Sequence, residues 1–243
     1  LFTQNEISNW ISQHNLEEEL LVISSKYDGN ASEWIFHGNT FMQSFSRGNG
    51  IEGADTTRHI KTIADMLTIN NSNIVNRINE ILGKQSVISL RGELIWSITN
   101  FNLIGTNCGY KNPRNAVSGL MNASVSDLDI LKQLQYFPFN IDTVNAQLDK
   151  VEQLTLLSEA GFNSVRYETC LGKELTTSML ESLIVKFRQE SEFELDGVVV
   201  EVNNHVLRNQ IQPSNNSLNP EYAVKFKIDA KPVKAIVDRV EWN

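Results

Sequence analysis

"SSKYDGNAS" occupies residues 24–32, directly after the apolar run "LLVI" at 20–23. A lysine here follows a buried-strand pattern and precedes Asp28-Gly29. The pattern admits two readings. Asp-Gly is a common turn dipeptide, which makes Lys26 a surface charge at a strand end. A lysine amine fixed at the end of a strand is also a nucleophile in waiting. The stretch alone favours the turn, so the decision rests on what surrounds it.

Working outward, Thr3 and Glu6 fit a capping box ahead of Ile7, Trp10 and Ile11, which predicts a helix. Residues 19–25 read as a buried strand ending at Lys26. Residues 33–50 read as a hairpin turning at His37-Gly38-Asn39, with a Gly-rich turn after it. Helical periodicity runs over 55–69 and over 73–82, the latter closed by Gly83. A strand over 86–97 is interrupted by Arg91-Gly92-Glu93. Residues 110–121 are a turn feeding a short helix, and 134–142 an aromatic strand. Val144, Leu148, Val151, Leu154 and Leu157 mark one face of a long helix with Gly161 at its C′ position. A helix over 177–190, strands over 193–203, 221–229 and 232–242, and a loop over 212–220 complete the chain. Strands alternating irregularly with helices predict an α+β fold with antiparallel sheets.

The bulk numbers set bounds. The 243 residues suffice for one large domain or two small ones. A net charge of −8 argues against this chain alone gripping a nucleic-acid backbone, which needs clustered Lys and Arg. No apolar run approaches the roughly eighteen residues of a membrane span, and no stretch reads as a secretory signal. The two cysteines, Cys108 and Cys170, lack CxxC spacing. That counts against zinc and leads to the expectation of a reducing, cytoplasmic setting. The chain starts at Leu1 and stops within a strand pattern, so it reads as one domain of a longer protein.

Polar residues interrupt apolar strands at five places: Lys26-Tyr27-Asp28-Gly29, Arg47-Gly48-Asn49-Gly50, Arg91-Gly92-Glu93, Asp196-Gly197 and Lys225-Phe226-Lys227. Each alone is a turn or a snorkelling surface charge. Together they offer cations and carboxylates at strand ends that line one cleft, where each buried charge needs a partner.

Read in order, "KYDG", "RGNG", "RGE", "NPRN", "LDGVVVEV" and "AVKFK" resemble the adenylation domain of NAD-dependent DNA ligases, in the covalent nucleotidyltransferase superfamily. "SRGNGIEGADTTRHIKTI" (46–63) is similar to that family's TRGDGxxGEDVTxNxRTI, and "NPRNAVSG" (112–119) to its NPRNAAAG. The resemblance covers nearly the whole chain. It implies a covalent nucleotidyltransferase fold, with antiparallel sheets and flanking helices around a nucleotide cleft. It implies an adenylation domain over 1–230 and the start of an OB-like domain over 231–243.

The resemblance also implies roles. Lys26 matches the lysine that attacks the α-phosphorus of NAD, takes AMP as a phosphoramide and expels nicotinamide mononucleotide. That chemistry needs the uncharged amine, so nearby cations are expected, Lys225 and Arg47 among them. Both also stabilise charge on the phosphate. Asp28 is expected to orient Lys26, and Glu93 to accept from the ribose hydroxyl. Asp196 is expected to organise a divalent metal such as Mg, with Glu93 a second candidate. Arg114 and Arg188 are expected near the nucleotide or the nick phosphate. Phe139 falls where the family stacks an aromatic on adenine, though core packing serves it equally. The implied partner is nicked double-stranded DNA, gripped mainly by domains outside this chain, with a monomeric protein and no membrane.

Four positions depart from the family. Ser24 stands for the glutamate that reads the adenine amine. Glu201 stands for a lysine in "DGVVVEV", which puts an anion where a phosphate-binding cation is expected. Asn122 replaces an arginine, and Lys227 a proline. Lys227 makes a KxK of the kind found in ATP-dependent DNA and RNA ligases. An ATP-using ligase and a degenerate nucleotide-binding module therefore stand as alternatives.

Overall fold

A strand whose alternate residues face a core and a cleft must be buried on one face and polar on the other. The first long strand, β1 (Leu20–Tyr27), does this only toward its end: Leu21, Val22, Ile23 and Tyr27 are core residues drawn from both faces, Ser24 is buried with them, and Lys26 is half-buried on the face it shares with Val22 and Ser24. The computed structural model describes residues 3–37, 40–48, 52–70, 78, 87–125, 127–142, 147–211, 220–227 and 239.

The elements in chain order are α1 (Gln4–Gln13), β1, β2 (Asn30–His37), β3 (Thr40–Ser46), α2 (Thr57–Asn70), β4 (Val87–Trp96), α3 (Pro113–Asn122), β5 (Leu134–Asp142), α4 (Lys150–Glu159), β6 (Tyr167–Leu171), α5 (Thr177–Gln189), β7 (Leu195–Val202), α6 (His205–Gln210) and β8 (Ala223–Phe226). They form two four-stranded sheets, ordered β6-β1-β7-β8 and β3-β2-β4-β5. Every pairing is antiparallel. The α+β expectation holds.

Each sheet has its own core. Trp34, Phe36, Leu90, Trp96 and Tyr136 pack with Ile60 and Ile63 of α2 and with Val117 and Leu120 of α3. Leu21, Ile23, Val198 and Val200 pack with Trp10 of α1 and Ile184 of α5. Ile95 and Phe137 leave the second sheet to join the first sheet's core. Helix α4 stitches the two, since Leu154 belongs to one core and Leu156 and Leu157 to the other.

The chain crosses between sheets at Asp28-Gly29, immediately after Lys26. Gly29 is required there: a Cβ would run into the Leu94 carbonyl and the Ile95 side chain. The crossover therefore seats the end of β1 against β4.

The capping box at Thr3 and Glu6 forms, and so does the 33–50 hairpin as β2 and β3, although its turn residues 38–39 lie outside the described set. Strand β1 runs one residue past Lys26, because Tyr27 packs 4.6 Å from Phe137 and is buried. The helix expected from Val144 onward starts at Lys150 instead. Asp149 and Glu152 form a capping box that ends the preceding loop. Four elements carry no clear pattern in the sequence: β6, α6, the short helix Leu128–Leu131 and the helical run over 98–108. The expected helix at 73–82, the loop at 212–219 and the strand at 232–242 lie outside the described residues, apart from Ile78, itself helical, and Arg239. So does the expected domain start at 231–243 apart from Arg239.

Candidate active site

Lys26 sits at the joint of the two sheets, and the register explains its partner. Lys26 pairs with Gly197 and Tyr27 with Leu195, so Asp196 is the extra residue of a β-bulge. The bulge turns the Asp196 carboxylate onto the lysine: Nζ of Lys26 lies 2.9 Å from Oδ1 and 3.1 Å from Oδ2. Gly197 lets β8 approach the bulge, because a Cβ there would strike the Phe226 carbonyl. Arg188 donates from Nε to the Leu195 carbonyl at 3.2 Å, which anchors the strand just before the bulge.

A second ammonium shares the carboxylate. Lys227 Nζ donates to Asp196 Oδ2 at 2.6 Å. Burial alone would raise the Asp196 carboxyl, but the hydrogen bonds from Lys227 and Lys26 outweigh it and hold it below the ordinary carboxylate range. Lys225 is exposed and lies in the cross-strand row of Val199 and Ser24, two rows from Lys26. The cation that meets Asp196 beside Lys26 is thus Lys227.

On the other sheet, Asp28 accepts from Arg114 at 2.6 Å. Arg114 is in the first turn of α3, which Asn112 caps by accepting from the Asn115 N–H at 2.7 Å. Asn30 Nδ2 donates to Ser118 Oγ at 3.0 Å and ties the same helix to β2. Glu93 accepts the Gly29 N–H, which links β4 to the crossover. Burial pushes its carboxyl up to about 7, and nearby Asp196 pushes the same way. The attraction of Lys26, the Gly29 N–H and Arg114 opposes that rise without cancelling it. Arg47 is exposed just past β3. The register sets its neighbour Ser46 opposite Ser32, which pairs in turn with Gly92, so Arg47 lies near the level of Glu93.

The departures now have places. Ser24 is buried on the Lys26 face of β1. Asn122 ends α3, about 12 Å along the helix from Arg114. Glu201 is on the Lys26 face by strand alternation, yet it is buried and doubly paired: Oε2 lies 2.8 Å from Lys150 Nζ and Oε1 3.2 Å from an Arg208 NH. Phe139 is half-buried, with Lys150 Nζ 5.8 Å from its ring centroid. Lys150 and Arg208 escape sequence reasoning. The capping-box spacing of Asp149 and Glu152 would have placed Lys150 at a helix start, though not in a core.

No cluster of three or more metal-ligating side chains occurs among the described residues. Asp196 Oδ1 is buried and makes no hydrogen bond within the described structure, though the Lys26 ammonium stands beside it. A single such carboxylate fits a hard cation held mainly by phosphate and water. No helix among the described residues is long and apolar enough to cross a membrane.

Two antiparallel sheets with flanking helices, meeting at Lys26, match the covalent nucleotidyltransferase fold that the sequence leads one to expect. A solved archaeal ATP-dependent RNA ligase is similar to this chain, with a TM-score of 0.51 at 16% identity, covering 91% of this chain and 45% of that one. The chain belongs to the NAD-dependent DNA ligase adenylation domain family, whose model matches residues 1–231. A DNA ligase of Acetivibrio thermocellus is 29% identical, over 91% of this chain and 33% of its own length. A DNA ligase of Acanthamoeba polyphaga mimivirus is 28% identical, over 99% of this chain and 34% of its own length. The chain thus spans about a third of the length of these relatives.

Proposed function

We propose that this chain is the adenylating core of an NAD-using DNA ligase and that Lys26 is its nucleophile. The observation that carries the reading is the Lys26–Asp196 pair, made by a bulge at the joint of the sheets with Lys227 on the same carboxylate. Two cations compete for Asp196, so its hold on Lys26 is divided. The uncharged Lys26 amine attacks the α-phosphorus of NAD. A P–N bond forms, the pyrophosphate P–O bond breaks, nicotinamide mononucleotide leaves with the bond's electron pair, and the amine's proton passes to solvent. The AMP then passes to the 5′-phosphate of a nick, and the 3′-hydroxyl displaces it as the strands join.

The remaining residues bind and orient. Lys225, Lys227 and Arg47 supply positive charge for the phosphates. Asp28, held by Arg114, braces the crossover that follows the strand carrying Lys26. Glu93 accepts from the ribose hydroxyl, and Phe139 offers a face to the base. Arg188 acts through the β7 anchor. Asp196 is the carboxylate offered to a divalent cation such as Mg; Glu93, half protonated near neutral pH, is the poorer ligand. When bound, such an ion would neutralise charge building on the phosphate oxygens. Nicked duplex DNA is the proposed partner. Its grip is assigned mainly to parts of the protein beyond this chain, in keeping with the net charge of −8.

The test is incubation of the protein that carries this chain with NAD and Mg, followed by intact mass spectrometry. One AMP should add to the wild type and none to Lys26→Ala. A wild type that takes AMP from neither NAD nor ATP ends the enzyme reading. Lys227 favours a second reading, in which ATP is the donor; labelling from ATP and not from NAD would establish it.

A further inference from the structure

Lys150, Glu201 and Arg208 form an ion cluster whose side chains are 3%, 10% and 8% exposed. Lysine is among the side chains least often buried to this degree, and a buried lysine needs a charged partner. Three elements converge to make the cluster. Glu201 comes from β7, Lys150 from the first turn of α4, and Arg208 from α6. Backbone contacts hold them in register: the Lys150 N–H donates to the Asn203 carbonyl at 2.9 Å, the Val151 N–H to Asn203 Oδ1 at 3.0 Å, and Arg208 to the Leu148 carbonyl at 2.6 Å.

The cluster has one aromatic neighbour of note. Lys150 Nζ stands 5.8 Å from the Phe139 centroid, within cation–π range. Lys150 is buried while Phe139 keeps part of its surface open, so the ammonium covers the inward side of the ring. On the proposed reading of the cleft, the open side is the one available to a base. An ammonium behind a ring draws on its π-density and fixes its tilt.

We infer that Lys150 is a positioning residue for Phe139, and that Glu201 with Arg208 holds Lys150 behind the ring so that the outer face is a prepared platform for a stacked base. This inference rests on the reading of the cleft as the nucleotide site. Glu201 on this account faces a lysine and an arginine of its own chain and not a phosphate.

The experiment is single-turnover adenylylation of the full protein by NAD, followed by intact mass across NAD concentrations. It covers wild type, Lys150→Met, Phe139→Leu, the double variant and Lys150→Arg. Lys150→Met should raise the NAD concentration for half-maximal rate about five- to tenfold and leave the rate at saturation within about twofold, as expected for lost stacking. Lys150→Arg should restore the wild-type dependence. In the Phe139→Leu background, Lys150→Met should add no further rise, because the cation acts through the ring. An unchanged NAD dependence in Lys150→Met, or additive effects in the double variant, overturns the inference. Should Lys150→Met fail to fold, Lys150→Gln carries the same cycle, since it removes the ammonium, keeps a polar side chain and leaves the buried Glu201–Arg208 pair matched. A wild type that takes no AMP from NAD overturns the proposed function. Adduct formation with an additive cycle overturns only the platform.

Discussion

Replacing Glu93 with glutamine isolates one electrostatic strain in the cleft. The folded-state carboxyl sits at about 7, against an ordinary value of 4.5, because burial disfavours its charge. The native chain therefore binds more protons here than the unfolded chain does between those values. Stability falls as pH rises through that window. The contribution is whole below about pH 4.5 and gone above about 7. The shift corresponds to about 3 kcal/mol at most, at roughly 1.4 kcal/mol per pH unit. Solvent access to the partly exposed side chain reduces that figure. Glutamine keeps the shape and removes the titration. Unfolding measured at pH 5 and pH 8 should show wild type losing more stability on going to pH 8 than Glu93→Gln, by about 1–2 kcal/mol after that reduction. For a chain of this size that is a difference in Tm of several degrees. Other titrating groups cancel in the comparison. Adenylylation should fall in the same variant, because the amide cannot accept from a ribose hydroxyl as strongly as a carboxylate. Equal pH dependence in the two proteins would refute the reasoning.

Two further outcomes follow from the crossover. Gly29→Ala should destabilise the chain by about 2 kcal/mol or more, because its Cβ meets the Leu94 backbone and nothing there yields; denaturant unfolding checks it, and a neutral result would mean the strand end shifts freely. Arg114→Ala should change stability by less than about 1 kcal/mol, since its pair with Asp28 is largely exposed, yet slow adenylylation about tenfold by releasing the loop behind Lys26. Matched unfolding and single-turnover rates separate the two effects.

Local chemistry made much of this legible from the sequence. The capping box at Thr3, the hairpin over 33–50 and the apolar run before Lys26 are short-range features, and the structure contains them. Ordered motifs carried the candidate site: Lys26 and Asp196 do meet, although 170 residues separate them. The apolar period through Leu148 predicts a helix that begins before Lys150. A capping box at Asp149 and Glu152 overrides that period by satisfying the first N–H groups of the helix.

What the sequence by itself determined is most of the elements and the family, because periodicity, turn chemistry and motif order are written locally. What only the tertiary structure decided is which charges face one another. The bulge at Asp196 arises from strand register and a close approach to Phe226, neither of which is a local property. It sets Lys227 beside Lys26 and leaves Lys225 two rows away. The anion at 201 looked like a defect in a phosphate site. Folding brings Lys150 and Arg208 onto it, because a buried carboxylate is stable only where cations from other elements reach it.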